Sequence, residues 1–150
     1  MNETIYLVDN NALLALKGER IRSEFFRLFC RVTSDVLAEA GTHPDRARLE
    51  DCVLERSPAM LESVRDVMKL ETPGAADLID LYKNKGAADP GLLAAILVEQ
   101  SASVGTFFAD EWVLVTSDAA VIDRAGKLGI ISIAPRELSA RMDVWRPIDL

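Results

Sequence analysis

The feature that most constrains the fold is a short apolar run near the start of the chain that ends abruptly in polar residues. Residues 5–8 read Ile-Tyr-Leu-Val and are followed by Asp9, Asn10 and Asn11. An apolar run of this length with polar ends predicts a buried strand, central in a parallel sheet. Asp9 then lies at the carboxyl end of that strand, where open α/β sheets bind their ligands. The residues that follow favour a helix, which Asn10 or Asn11 can cap.

The same arrangement recurs near the other end of the chain. Residues 112–115 predict a second buried strand, which is followed by Thr116, Ser117 and Asp118 and then by a helix over 119–127. Because the carboxyl ends of parallel strands meet at one edge of a sheet, we expect Asp9 and Asp118 to lie together.

The last part of the sequence predicts one more strand and an irregular tail. The strand covers 130–133 and is ended by Pro135, and the tail with Trp145 and Pro147 is expected to pack irregularly against the body. With strands and helices alternating, we predict a single domain over 1–150 of the α/β class. Its architecture should be a three-layer α/β/α sandwich around a short, mainly parallel central sheet.

The middle of the chain predicts a series of amphipathic helices, over 21–30, 34–40, 45–54, 57–70, 72–82 and 92–104. Two of them carry further acids of interest. Glu39 lies among apolar residues in the second helix, where a solvent-facing position would explain it. Asp89 stands at the N-cap position of the last helix, and capping would explain it while leaving one carboxylate oxygen available.

Charge and composition limit the functional classes. Seventeen basic and 24 acidic side chains give a net charge of -7, which argues against nonspecific binding of nucleic acid. The acidic excess also fits a cluster of carboxylates kept for a metal ion. Two cysteines without CxxC spacing and a single histidine indicate neither a zinc site nor a disulfide framework. With no signal peptide or membrane span in the pattern, we expect a cytoplasmic protein without a membrane partner.

The four acids Asp9, Glu39, Asp89 and Asp118 together predict a cation site. Carboxylates gathered at one sheet edge repel one another, and a divalent ion removes that repulsion. Oxygen ligands without histidine or cysteine favour Mg²⁺ or Mn²⁺. Such a site supports phosphodiester hydrolysis, because the metal lowers the pKa of water and neutralises charge on the phosphate.

The order of these motifs resembles the PIN-domain family over nearly the whole chain. The four matching segments are 7–11 with Asp9, 32–39 with Glu39, 89–95 with Asp89 and 114–118 with Asp118, the last followed by a helix and a short Gly-Ile strand. Asn10 departs from the small hydroxyl residue usual in the family, and Val121 replaces a common phenylalanine. Neither departure removes a carboxylate.

The resemblance implies a stand-alone endoribonuclease of the VapC toxin type, held inactive by a cognate antitoxin and often a homodimer. Asp9, Glu39, Asp89 and Asp118 would then be the catalytic metal ligands, and Asn11 and Ser117 would hold that shell through hydrogen bonds. The candidate RNA-binding residues are the basic ones at Arg20, Arg22, Arg27, Lys83 and Lys85.

Two other interpretations remain open at this stage. One is a PIN-like scaffold without catalytic activity that acts through protein–protein interaction, favoured by the net charge and by Asn10. The other is a phosphoacceptor receiver domain, which also places aspartates at strand ends. Asn10 and Asn11 after the first strand, and the ending Ile133-Ala134-Pro135, argue against a receiver domain.

Overall fold

The structure, a computed structural model, describes residues 3–54, 88–103 and 110–147. Within these ranges five strands form one parallel sheet in the order β3-β2-β1-β4-β5. The strands are β1 (Thr4–Val8), β2 (Cys30–Thr33), β3 (Val53–Leu54), β4 (Glu111–Val115) and β5 (Ile131–Ile133). Helices flank this sheet, so the fold is the predicted three-layer α/β/α sandwich.

The described helices connect the strands and pack against them. They are α1 (Asn10–Ala15), α2 (Gly18–Ile21), α3 (Glu24–Phe29), α4 (Ser34–Glu39), α5 (Arg46–Glu50), α6 (Ala88–Ser103), α7 (Ala119–Lys127) and α8 (Pro135–Val144). Helix α3 packs on β1 and β2, α6 on β2 and β4, and α7 on β5. None of these helices is long and apolar enough to cross a membrane.

Strand β1 is the centre of the sheet because its apolar run is buried on both faces. Residues 5–8 are all buried, and Leu7 and Val8 are fully so. Tyr6 is aligned with Cys30 of β2 on one side and with Val113 of β4 on the other. A continuous apolar run is what a strand covered by helices on both sides requires.

Two predicted helices in the first half of the chain have different bounds. The helix predicted over 45–54 ends at Glu50, because Val53 and Leu54 pair with β2 and form the edge strand β3. The helix predicted over 21–30 is two short helices, separated at Arg22 and Ser23. Ser23 breaks the helix because its hydroxyl caps α3, accepting the amide hydrogen of Phe26 at 3.2 Å. The helices predicted over 57–70 and 72–82 lie outside the described residues.

A helix that was not predicted, α8, precedes the tail, and the tail itself at 145–147 lies outside any helix or strand as expected. Pro135 is the first residue of α8, a position where its fixed φ favours a helix and its missing N–H is not needed. Arg20 holds this helix through Asp143, at 2.8 Å, and through the carbonyl of Ser139, at 3.1 Å. Arg141 donates a hydrogen bond to the hydroxyl of Tyr6 at 3.0 Å.

An aromatic cluster joins the end of α8 to α3. Trp145 meets Phe25 and Phe29 edge-on, with ring centroids 5.8 and 5.7 Å apart, and Phe25 also contacts Tyr6 of the central strand. Edge-to-face pairs of this kind stabilise beyond the apolar area that they bury. Helix α8 and Trp145 are therefore part of the packed structure.

Replacing the indole tests this anchoring. Trp145→Ala should lower the free energy of unfolding by about 1–3 kcal/mol, because it removes two aromatic contacts and a half-buried apolar surface. Urea denaturation measures the change. Val144→Ala is the matched control, because Val144 is 77% exposed and its truncation should change stability little. Equal stability of the two variants would contradict the anchoring role.

Candidate active site

Asp9 is a buried aspartate whose carboxylate is fixed by two elements. It is the N-cap of α1, and its Oδ1 accepts the amide hydrogen of Ala12 at 2.7 Å. Its Oδ2 accepts the hydroxyl hydrogen of Thr116 at 2.5 Å. A carboxylate only 4% exposed needs such donors, because unpaired burial of a charge is unfavourable. The helix is thus capped by Asp9 itself, and Asn10 and Asn11, either of which was expected to be the cap, are its first two residues.

Thr116 connects the ends of β1 and β4. Its backbone N–H donates to the carbonyl of Ile133, its hydroxyl donates to Asp9, and the same hydroxyl oxygen accepts the amide hydrogen of Asp118 at 3.1 Å. Thr116 is fully buried, whereas its neighbour Ser117, predicted to hold the site, is exposed. The structure therefore brings Thr116, not Ser117, to the first carboxylate.

A signal for Thr116 was present in the sequence. The residues after the two buried runs are Asp9 and Thr116, and the observed pairing of Val8 with Val115 makes them neighbours across the sheet. Aligning the two apolar runs at their polar ends gives this register. Side-chain type alone does not distinguish Thr116 from Ser117, because both carry a hydroxyl.

Asp118 lies at the same edge of the sheet as Asp9. It is the N-cap of α7, and its Oδ1 accepts the amide hydrogens of Ala120 at 3.0 Å and Val121 at 3.3 Å. The side chain is half-buried. The expectation that the two strand-end aspartates share one edge is met by the backbone, and Thr116 makes the physical link between them.

Glu39 completes a group of three carboxyl-bearing residues at this edge. It is the last residue of α4, the helix that follows β2, the strand beside β1. The residue is exposed overall, yet enough protein surrounds its carboxyl group that desolvation raises the pKa, and the negative charge of Asp9 raises it further. Glu39 therefore lies within electrostatic reach of Asp9.

The two remaining predicted site residues are Asp89 and Asn11. Helix α6 begins at Ala88, so Asp89 lies in its first turn instead of preceding the helix, and its side chain is outside what the structure describes. Asn11 is exposed on the first turn of α1. Its side chain makes no hydrogen bond to another described residue.

The described carboxylates do not by themselves form a complete metal cage. Within residues 3–54, 88–103 and 110–147, no three His, Cys, Asp or Glu side chains are close enough together to hold an ion. The donor chemistry nevertheless fits a hard cation, since the site offers only carboxylate and hydroxyl oxygens. The repulsion between Asp9 and Glu39 is the kind of unfavourable interaction that a bound cation relieves.

The three candidate RNA-binding arginines are all paired with acids. Arg20 pairs with Asp143 at 2.8 Å, and this contact raises the pKa of Arg20 and lowers that of Asp143. The other pairs are Arg22 with Asp45 at 2.9 Å and Arg27 with Glu24 at 3.3 Å. A phosphate would have to compete with these carboxylates. Lys83 and Lys85 lie outside the described residues.

The raised pKa of Glu39 predicts a stability effect in the absence of metal. Because the pKa of Glu39 is raised in the folded protein, its ionised form is less stable there than in the unfolded chain. Glu39 therefore destabilises the fold fully at neutral pH, and this effect disappears as the pH falls below the ordinary glutamate range. Glu39→Gln in EDTA at pH 7 should therefore raise Tm, by the order of 1 °C because the side chain is partly solvated. The gain should vanish near pH 4, where wild-type Glu39 is protonated.

A thermal melt at both pH values measures this difference. Glu19→Gln is the matched control, because Glu19 is an exposed glutamate near the start of the neighbouring α2. A drop in Tm for Glu39→Gln at pH 7 would contradict the unfavourable coupling with Asp9.

Comparison with known proteins identifies the fold but no function. No family model matches the sequence, and no curated protein matches it. Among solved structures, the crystal structure of PAE2754 from Pyrobaculum aerophilum is similar, with a TM-score of 0.53 and 21% identity over 95% of this chain and 99% of that one. At this level of identity the match shows a shared fold.

Proposed function

We propose that this chain is a ribonuclease that depends on Mg²⁺ or Mn²⁺ and hydrolyses RNA phosphodiester bonds. The observation that carries the proposal is the coupling of Glu39 to Asp9, with Asp9 tied through Thr116 to the turn that bears Asp118. Asp9 has a structural role as the cap of α1, whereas Glu39 gains nothing from a position where burial and the charge of Asp9 both raise its pKa. A cation between them makes the arrangement favourable.

The acidic residues of the site would bind the metal ion, and the ion would activate the attacking water. Asp9 and Asp118 would hold the ion, with Asp89 as the further ligand. Glu39, which lies within electrostatic reach of Asp9, would be a further carboxylate ligand of the ion. When bound, the ion would lower the pKa of that water and neutralise charge on the phosphate.

The biological setting is proposed on the resemblance to PIN-domain proteins. The substrate would be RNA, the regulator an antitoxin protein, the assembly a homodimer and the location the cytoplasm. The fold is compatible with this family, since an α/β/α sandwich with acids at the carboxyl edge of its sheet is what the resemblance implies.

A non-catalytic PIN-like scaffold is the second candidate. The observation favouring it is that the described residues contain no group of three metal-binding side chains. The two candidates differ in their response to Mn²⁺. Calorimetric titration should show a defined Mn²⁺ site that Asp9→Asn abolishes if the protein is a nuclease, and only weak binding if it is a scaffold. An RNA cleavage assay with Mn²⁺ should show activity only in the first case.

Removing one carboxylate at a time tests the catalytic assignment. Asp9→Asn and Asp118→Asn should each reduce Mn²⁺-dependent RNA cleavage by about 100-fold or more, because each removes an anionic ligand while an amide oxygen can still cap the helix. Asp123→Asn is the control, since Asp123 is an exposed acid on α7 paired with Lys127. Circular dichroism checks folding, and undiminished cleavage by both site variants would end the assignment.

Thr116 provides a test of positioning. Thr116→Val keeps the shape but removes both the donor to Asp9 and the acceptor for Asp118, so stability should fall by about 1–3 kcal/mol and cleavage by about tenfold. Thr116→Ser should restore most of the cleavage because it retains the hydroxyl. Urea denaturation and initial cleavage rates give the two readouts. If the Thr116→Val variant cleaves RNA as fast as the wild type, the hydrogen bond from Thr116 does not position the Asp9 carboxylate.

A further inference from the structure

A pocket of about 300 Å³ lies beside the candidate active site, between α1 and the turn that follows α4. We call it the Leu14 pocket; its lining includes Asn10, Leu14, Glu39, Thr42, His43 and Pro44. Its volume is at the lower end of the roughly 300–1,000 Å³ usual for small-ligand pockets. Glu39 lines the pocket and is also one of the candidate site residues, so the pocket adjoins the sheet edge that carries Asp9 and Asp118, here called the carboxylate edge.

The lining has the chemistry of a site for an uncharged, partly flat group. Leu14 is 66% exposed, and with Pro44 it gives the pocket apolar surface. Asn10, Thr42 and His43 add polar groups that donate or accept hydrogen bonds. No lysine or arginine lines the pocket, so it is not built to hold a phosphate.

His43, the single histidine of the chain, is oriented by its own turn. Its Nδ1 accepts the amide hydrogen of Asp45 at 3.0 Å, which places the proton of the uncharged ring on Nε2. No other described residue accepts a hydrogen bond from that Nε2–H. The ring thus offers a donor on the wall of the Leu14 pocket.

The turn that carries His43 is held from both sides. The backbone N–H of His43 donates to the carbonyl of Ala40 at 2.7 Å, and Asp45 pairs with Arg22 at 2.9 Å. A Cβ on Gly18 would lie 2.7 Å from the guanidinium of Arg22 and 2.8 Å from the carboxylate of Asp45, so a larger residue there would make the ends of these two side chains shift. The pocket wall is therefore preformed, which favours ligand binding.

We propose that the Leu14 pocket holds the nucleoside next to the scissile phosphate of RNA, with its base packed on Leu14 and Pro44 and His43 donating to an acceptor atom on the base edge. The inference rests on the proposed ribonuclease function and names a substrate site for it. The phosphate would lie at the cation held by the carboxylates. The uncharged base would lie in the pocket, whose lining contains no lysine or arginine and one carboxylate, that of Glu39. Bases exposed in single strands are recognised by such stacking and edge contacts.

Two variants test the pocket, and neither alters a proposed metal ligand. His43→Asn keeps an acceptor for the amide of Asp45 but replaces the Nε2–H of the ring with an amide donor on a shorter side chain. Leu14→Asp puts a charge on a surface that should meet the base. Its matched control is Val144→Asp, at an exposed position of α8. Each protein is assayed with Mn²⁺ on a pool of oligoribonucleotides of random sequence, and the cut ends are sequenced.

The expected result is weaker and less selective binding of RNA, with the rate of the chemical step unchanged. His43→Asn and Leu14→Asp should raise KM by about three- to tenfold, the worth of one hydrogen bond or contact, with kcat within about twofold. The wild type should prefer certain bases at one position flanking the cut, and His43→Asn should relax that preference. A role of His43 in the turn alone would change the melting temperature but not the base preference.

Two results separate failure of this inference from failure of the proposed function. If the wild type cleaves and both variants show the same KM and base preference, the pocket does not bind the nucleoside, whatever other ligand it takes. If the wild type does not cleave at all, the proposed function fails. Fluorescence anisotropy with the labelled pool then decides the pocket: weaker binding by Leu14→Asp than by Val144→Asp supports it, and equal binding overturns it.

Discussion

The hydrogen bond from Thr116 to Asp9 is the contact on which the candidate site depends. A carboxylate as buried as that of Asp9 is tolerated because Thr116 and the amide of Ala12 both donate to it. The same hydroxyl receives the amide of Asp118, so one buried oxygen fixes the ends of two neighbouring strands. The edge thereby acquires a defined shape before any ligand arrives.

Much of this fold was predictable because its centre is encoded locally. The apolar runs at 5–8 and 112–115 are long enough to be strands, too short to be helices, and polar at both ends. Buried parallel strands followed by helices then imply the sandwich. The position of Asp9 and Asp118 at one edge followed from the same reasoning, because a parallel sheet aligns its carboxyl ends.

The features that sequence reasoning missed depend on tertiary partners. Strand β3 has only two residues, and it is a strand because Val32 and Thr33 lie beside it. Helix α8 has weak helical periodicity and is held instead by contacts with Arg20 and Tyr6, distant in sequence. The place of His43 beside Leu14 depends on where α1 lies, which no local pattern around the histidine gives. Local pattern contains none of this information.

The register of β1 against β4 has a consequence for how the protein is made. The donor and acceptor of the Thr116–Asp9 bond are 107 positions apart, and Thr4 is aligned with Glu111. Contacts of such sequence separation form late and slowly, after the entropy of closing a long loop has been overcome. A ribosome that has not yet synthesised Thr116 therefore carries a nascent chain in which the bond to Asp9 across the sheet cannot form, and the carboxylate edge is assembled only after Asp118 has been synthesised.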